Sequence, residues 1–310
     1  MLDSLAPLLN HLPPKTVKAL QQAITVCGRQ VGMATDWVQR WVAFTLVADA
    51  LAEYAPDGTP AFQFKGGAAI EMRMRQLRPA SENGAPSGGV GSLKPRATKD
   101  LDATFRGELD TVIAAVEGAL STTRHGFRFR VTVETPDAPR MRRFRVHVAY
   151  LESIGQTGQS QERDFAKVKL EVSAYEGTPL PPDLVPAFSL KPFGIDGPAH
   201  LPCIPLVKQV AQKIHAVTEV PGEGKTNDRF RDLVDLVMLS GFEPPSPQLR
   251  AVCEETFAVR QGHRWPPEIV TYEHWQEPME RLAQESGLER TASTEIVSHV
   301  QAYVRSIAEV

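Results

Sequence analysis

KGGAAIEMRMRQLRP at residues 65–79 and RATKDLDATF at residues 96–105 carry the reading of this chain. Two adjacent glycines, Gly66 and Gly67, follow a short strand candidate, Phe62–Lys65. They open a helix in which Ile70, Met74 and Leu77 recur at helical spacing until Pro79 ends it. The N–H groups and dipole at such a helix start favour anions, although Gly-Gly also serves any tight turn. The second stretch predicts a strand over Leu101–Arg106. Residues two apart in a strand share a face, so Asp100 and Asp102 converge while Leu101 points to the core. Paired carboxylates and a polyphosphate suit Mg2+ or Mn2+, which take oxygen ligands and retain substrate phosphates in their shell. Either motif alone is weak; together they point to nucleotide chemistry.

Outward from this pair, helices are expected over Thr16–Arg29, Trp37–Tyr54 and Glu108–Leu120. The Gly-, Pro- and Ser-rich segment Ser81–Pro95 predicts a flexible loop, either an insertion without a role or a lid over nucleotide or acceptor. Alternating patterns predict strands over Phe127–Val133, Arg143–Val148 and Ala166–Ser173. Beyond the proline-rich connection Pro179–Pro186 the pattern turns helical: Pro205–Val217, Asp228–Leu239, Pro247–Val259, His274–Ser286 and Thr291–Ile307. The expected architecture is an α+β domain over residues 1–180 followed by a mainly helical C-terminal domain over residues 181–310.

Further candidates lie outside the opening pair. In Lys167–Ser173, Val168, Leu170 and Val172 share one face, and Lys167, Lys169, Glu171 and Ser173 the other. Beside the Asp100/Asp102 strand, Glu171 would add a third carboxylate; a charged outer face is the alternative. On the helix from Pro205, Lys213 interrupts the apolar stripe of Leu206, Val210 and Val217. It either snorkels to solvent or reaches a phosphate. In NDRFRDLVDL, residues 227–236, Asp228 is the expected N-cap, with Arg231 and Asp232 in the first turns. A surface salt-bridge cluster competes with a functional role there. Arg128 and Arg130 share one strand face, as do Arg143, Arg145 and His147. Paired, these strands would form either a basic plate for a phosphate backbone or an ordinary solvated face.

The 310 residues carry a net charge of -3, so any nucleic-acid contact must come from a local patch. Cys27, Cys203 and Cys253 are widely spaced and odd in number, which fits free thiols in a reducing compartment. The N-terminal stretch MLDSLAPLLNHLPPK lacks the basic start and apolar run of a signal peptide, and no later apolar stretch is long enough to span a bilayer. A cytoplasmic protein without membrane contact is expected.

KGG, then KDLD, then KIHA and RFRDLVDL resemble, in that order, the AbiEii/AbiGii-type nucleotidyltransferase toxin family of the DNA polymerase β-like superfamily. The resemblance covers roughly residues 60–240. It implies a minimal nucleotidyltransferase fold with a mixed sheet followed by helices, with the nucleotide held between the two parts. It also implies a metal-dependent toxin, encoded beside an antitoxin, that transfers NMP from NTP to an acceptor hydroxyl. Characterised mycobacterial relatives use the 3′ end of tRNA and so block translation. By position, Gly66 and Gly67 match the phosphate-binding turn, with Lys65 before them also expected to bind nucleotide, Asp100 and Asp102 match the metal pair, and Glu171 the third carboxylate. Lys213 matches the nucleotide-contacting lysine, and Asp232 the later acid, with Arg231 beside it. The chain departs from the pattern at Ala68, where serine is usual, at Glu171, where aspartate is more typical, and in the long segment between glycines and aspartates. A protein acceptor, a DxD glycosyltransferase and a non-catalytic nucleotide-binding module are the competing expectations.

Overall fold

The computed structural model describes residues 13–76, 98–134, 140–154, 159–222 and 225–310. Ser81–Pro95 therefore lies outside the described residues. Helix α1 (Val17–Val31) starts where the Thr16 hydroxyl accepts the Ala19 N–H at 3.1 Å, and stops at Gly32, whose φ is 67°. Leu20, Ile24 and Cys27 form its buried stripe. Helix α2 (Thr35–Ala52) is buried all round from Trp41 to Leu51, the pattern of a helix running through a core.

The strands are β1 (Phe62–Lys65), β2 (Leu101–Phe105), β3 (Phe127–Glu134), β4 (Met141–Ile154), β5 (Gln159–Ala174), β6 (Asp183–Pro186) and β7 (His200–Cys203). Helix α3 (Gly66–Gln76) follows β1 directly, and α4 (Val112–Ala119) follows β2. One sheet of the described residues has the order β3-β4-β5-β2-β1-β7-β6. It is mixed: β1 is antiparallel to β2 and parallel to β7, and β2 is parallel to β5. The α+β class with a mixed sheet is the one expected. Phe62, Phe64, Leu101, Ala103, Phe105, Phe144, Val146, Leu170 and Val172 line one face and join α1 and α2 in a single core. Each fully buried side chain of this size contributes about 1.5–3 kcal/mol. The opposite face carries the polar residues of the alternation.

Glu71, on α3, is 1% exposed and accepts the indole N–H groups of Trp37 at 3.1 Å and Trp41 at 3.0 Å. These bonds tie the helix after the glycines to α2. Both indoles donate to the same oxygen, Oε1, which offsets part of the cost of burying the carboxyl group.

The chain divides into two compact units. The first comprises Met1–Arg73, Ala97–Tyr175 and Leu184–Cys203; the second comprises Met74–Arg96, Glu176–Asp183 and Ile204–Val310. In the second, α5 (Leu206–Thr218), α6 (Phe230–Ser240), α7 (Pro247–Arg260), α8 (Gln276–Glu285) and α9 (Ser293–Glu309) bury Ile214, Leu233, Leu236, Cys253 and Val300. Among the described residues no helix is long and apolar enough to cross a membrane.

Candidate active site

The polar face of the sheet assembles the first unit's candidates in one cross-strand row. Glu134 pairs with Arg143, Arg143 with Glu171, Glu171 with Asp102, and Asp102 with Lys65. The sign of charge alternates along the row except between Glu171 and Asp102. Like charges directly opposite one another destabilise a sheet by several tenths of a kcal/mol, roughly 0.2–1 kcal/mol, so this juxtaposition is held against a local cost.

Counter-charges surround it. Arg143 Nε donates to Glu171 Oε1 at 3.0 Å, and Lys169 Nζ lies 2.9 Å from the same oxygen. Lys169 Nζ also reaches Asp100 Oδ2 at 3.4 Å. Burial pushes the Glu171 carboxyl up, but the bonds and charges of Lys169 and Arg143 outweigh it and hold the group below the usual carboxylate range. The Lys169 ammonium is raised chiefly by its hydrogen bond to Glu171, with burial opposing. Asp100 sits one residue before β2, and Leu101 is buried beneath. Lys65 Nζ donates to the Ser173 hydroxyl at 2.6 Å.

Gly66 explains the first glycine of the motif. Its φ is 63°, and a Cβ built there would lie 2.1 Å from Asp102 Oδ2 and 2.9 Å from its Cγ. Only glycine fits both the left-handed backbone and the carboxylate pressed against it. The turn thereby sets the position of Asp102 against the start of α3.

In the second unit, Lys213 on α5 bonds Asp232 Oδ1 at 2.5 Å and Asp235 Oδ2 at 2.7 Å, both on α6. All three are buried. Burial lowers the Lys213 ammonium, yet the two carboxylates overcome it and hold it above its ordinary range. Lys213 thus neither snorkels nor stands alone. Arg231 is exposed and lies over the Phe230 ring, 5.4 Å from its centroid, apart from this cluster. The expected Asp228 N-cap is corrected: Arg229 precedes α6 without a side-chain cap, and Asp228 Oδ1 lies 3.0 Å from His274 Nε2. Asn227 takes the anchoring place instead. Its Oδ1 accepts the Arg229 N–H at 2.9 Å, and its Nδ2 donates to the Glu219 carbonyl at 2.9 Å.

The expected arginine face forms, because β3 and β4 pair in antiparallel register. It is mixed in charge, however. Arg128 lies 2.6 Å from Glu162, Arg130 3.5 Å from Asp164, Arg145 pairs with Glu134, and Arg143 with Glu171.

A family model described as nucleotidyl transferase AbiEii toxin, type IV toxin–antitoxin system, matches residues 49–305. The chain belongs to this family. It is a nucleotidyltransferase toxin of a type IV toxin–antitoxin system. The AbiEii assignment agrees with a fold similar to that of the nucleotidyltransferase toxin MenT4 of Mycobacterium tuberculosis H37Rv. That match has 18% identity and a TM-score of 0.55, and covers 95% of this chain and 90% of the other. No curated protein matches the chain.

Against this AbiEii background, the donor set can be tested for a metal. Asp102 and Glu171 are register neighbours with Asp100 just before, an all-oxygen set of the kind hard divalent cations prefer. The Lys169 ammonium already lies between Asp100 and Glu171 as a stand-in cation, so the place accepts positive charge. Among the described residues no three or more His, Cys, Asp or Glu side chains are gathered closely enough to form a metal cluster. Sequence reading missed Asp235 and the bonds of Lys169. The signal for Asp235 was present: Asp232 and Asp235 are three apart on one helix face, among apolar neighbours.

Proposed function

We propose that this AbiEii-family toxin transfers a nucleoside monophosphate from an NTP to an acceptor hydroxyl, that of the tRNA 3′ end, with Asp100, Asp102 and Glu171, which do not stand gathered as a metal cluster, drawing together on a divalent metal when it binds. The juxtaposition of Asp102 with Glu171 on one side, and with Lys65 and Gly66 on the other, carries the reading. Lys65 and the N–H groups of Gly66 and Gly67 take the triphosphate. Mg2+ or Mn2+, when bound, neutralises phosphate charge and eases loss of the acceptor proton. The acceptor oxygen attacks the α-phosphorus in line, and pyrophosphate leaves. Lys213, with Asp232 positioning it, and Arg231 contact the nucleotide in this reading. Arg231→Ala is then expected to weaken NTP binding severalfold without changing the melting temperature, measured by calorimetric titration.

The toxin acts in the cytoplasm and is held in check by a cognate antitoxin protein. Its acceptor backbone lies along Arg128, Arg130, Arg143 and Arg145. Charge reversal at Arg128 and Arg130, which leaves the Arg143–Glu171 bond intact, is expected to weaken RNA binding while NTP binding persists. Unaltered RNA affinity would reject this surface. The pairing of these arginines with carboxylates favours a second reading, nucleotidylation of a protein hydroxyl. Incubation with each labelled NTP, Mg2+, and either total RNA or total protein separates them. Label at RNA 3′ ends, lost in Asp102→Ala, is the expected result. Label in protein supports the second reading, and label in neither rejects both.

A further inference from the structure

A cation lies among the carboxylates before any metal is considered. Lys169 Nζ is 2.9 Å from Glu171 Oε1 and 3.4 Å from Asp100 Oδ2. A divalent ion bound by the same carboxylates would meet that ammonium at close range. Two positive groups a few ångströms apart repel strongly where solvent screening is partial, so the two occupancies compete. Of the two basic residues on Glu171, Lys169 is the one able to leave. Its side chain is 41% exposed, against 21% for Arg143, which is also the direct cross-strand neighbour of Glu171. Lysine is a strongly hydrated point charge on a flexible stem, whereas the guanidinium is planar and fixed by its fork.

We propose that Lys169 is an internal counter-cation of the acidic site, holding Asp100 and Glu171 in the metal-free protein and yielding them when a divalent ion binds. The proposal rests on the metal reading of these carboxylates. It assigns Lys169 a positioning role with two opposite effects. Lys169 stabilises the metal-free fold by relieving repulsion among the carboxylates, and it weakens metal affinity because each binding event must displace it. Arg143 remains on Glu171 in both states and keeps that side chain oriented.

The test uses Mn2+ alone, without nucleotide, with binding read from the loss of the free-ion paramagnetic resonance signal and stability read from melting temperature. Lys169→Met is expected to bind Mn2+ about tenfold more tightly than wild type, the order expected on removing one unit charge near the ligands. Its metal-free melting temperature falls, and its rise on adding Mn2+ exceeds that of wild type. Lys169→Arg, which keeps the charge, retains the wild-type affinity. Asp102→Ala serves as the ligand control. Equal or weaker Mn2+ binding by Lys169→Met overturns the counter-cation role while leaving the metal reading intact. Absence of Mn2+ binding in wild type and in Lys169→Met overturns both. Tightening of Lys169→Arg as large as that of Lys169→Met also overturns the proposal, because charge would then not be the cause.

Discussion

Gly66 is the residue with the least freedom in the site. Replacing it by alanine imposes a left-handed φ on a residue with a Cβ and drives that carbon into Asp102 Oδ2. Gly66→Ala is expected to lose about 1–3 kcal/mol of stability, read from denaturant melts, and to abolish nucleotide transfer because Asp102 must move. Gly67 supplies a contrast: it lies inside the first turn of α3, so Gly67→Ala is expected to be the milder change in the same melts. Lys213 makes the corresponding point in the second unit. Removing one partner of a buried ion pair leaves an uncompensated charge, so Lys213→Met is expected to cost about 3–5 kcal/mol in denaturant melts. Asp232 and Asp235 each supply one bond to the same ammonium, so either asparagine variant alone costs less.

At the scale of elements, the crossing from β2 to β5 matters most. The chain leaves β2, forms α4, β3 and β4, and returns in β5 parallel to β2 with Glu171 beside Asp102. Another element-scale contact governs acid behaviour. Glu255 on α7 is pushed up by burial but pulled down more by Lys208 and by both the N–H and hydroxyl of Thr178, reaching about 2 from the ordinary 4.5. A carboxyl depressed in the fold stabilises fully above its unfolded pKa, and that contribution drains away as pH falls through the folded value. Stability is therefore expected to fall between pH 4.5 and about 2, and Glu255→Gln to flatten this slope in melts across that range. The period-two alternation of Lys167–Ser173 placed Glu171 on the correct face from sequence alone, but alternation is silent on which strand lies alongside. That pairing is set by the long-range connection. The same limit hid β6 and β7, each four residues long and containing a proline, which reads as a turn signal. The lengths of β4 and β5 were also understated, because their outer ends lose the apolar alternation that marks a half-buried strand. The turn at Gly66 and the strand at the aspartates were legible because both are local demands, whereas the close approach of Gly66 to Asp102 is long-range and was not. The Lys213 partners on α6 were half legible: Asp232 by motif, Asp235 by its i, i+3 spacing from Asp232, while that both reach Lys213 comes from packing.

At the scale of the whole molecule, an acidic chain carries a basic sheet face whose charges are paired. The formal charge is -3, and the arginine face of β3 and β4 is balanced by Glu134, Glu162, Asp164 and Glu171. RNA affinity is expected to drop with added salt because each phosphate contact releases counterions, with a slope of log affinity against log salt shallower than four unpaired arginines would give, since the displaced carboxylates take up cations in turn. A protein acceptor would show a much shallower slope.

Glu71 has a consequence of a different kind. The chain has four tryptophans. Trp37 and Trp41 belong to the first unit, where both indoles donate to Glu71; Trp265 and Trp275 belong to the second, where Trp275 donates to the Asn227 carbonyl at 2.6 Å. A carboxyl group hydrogen-bonded to an indole N–H shifts its emission, so fluorescence from Trp37 and Trp41 is a built-in gauge of where α3 stands. With Trp265 and Trp275 replaced by phenylalanine, the remaining tryptophan light comes from α2, whose two indoles touch the helix that the glycine turn launches through Glu71, and a colour change on adding NTP would report that helix moving against α2, without any attached dye.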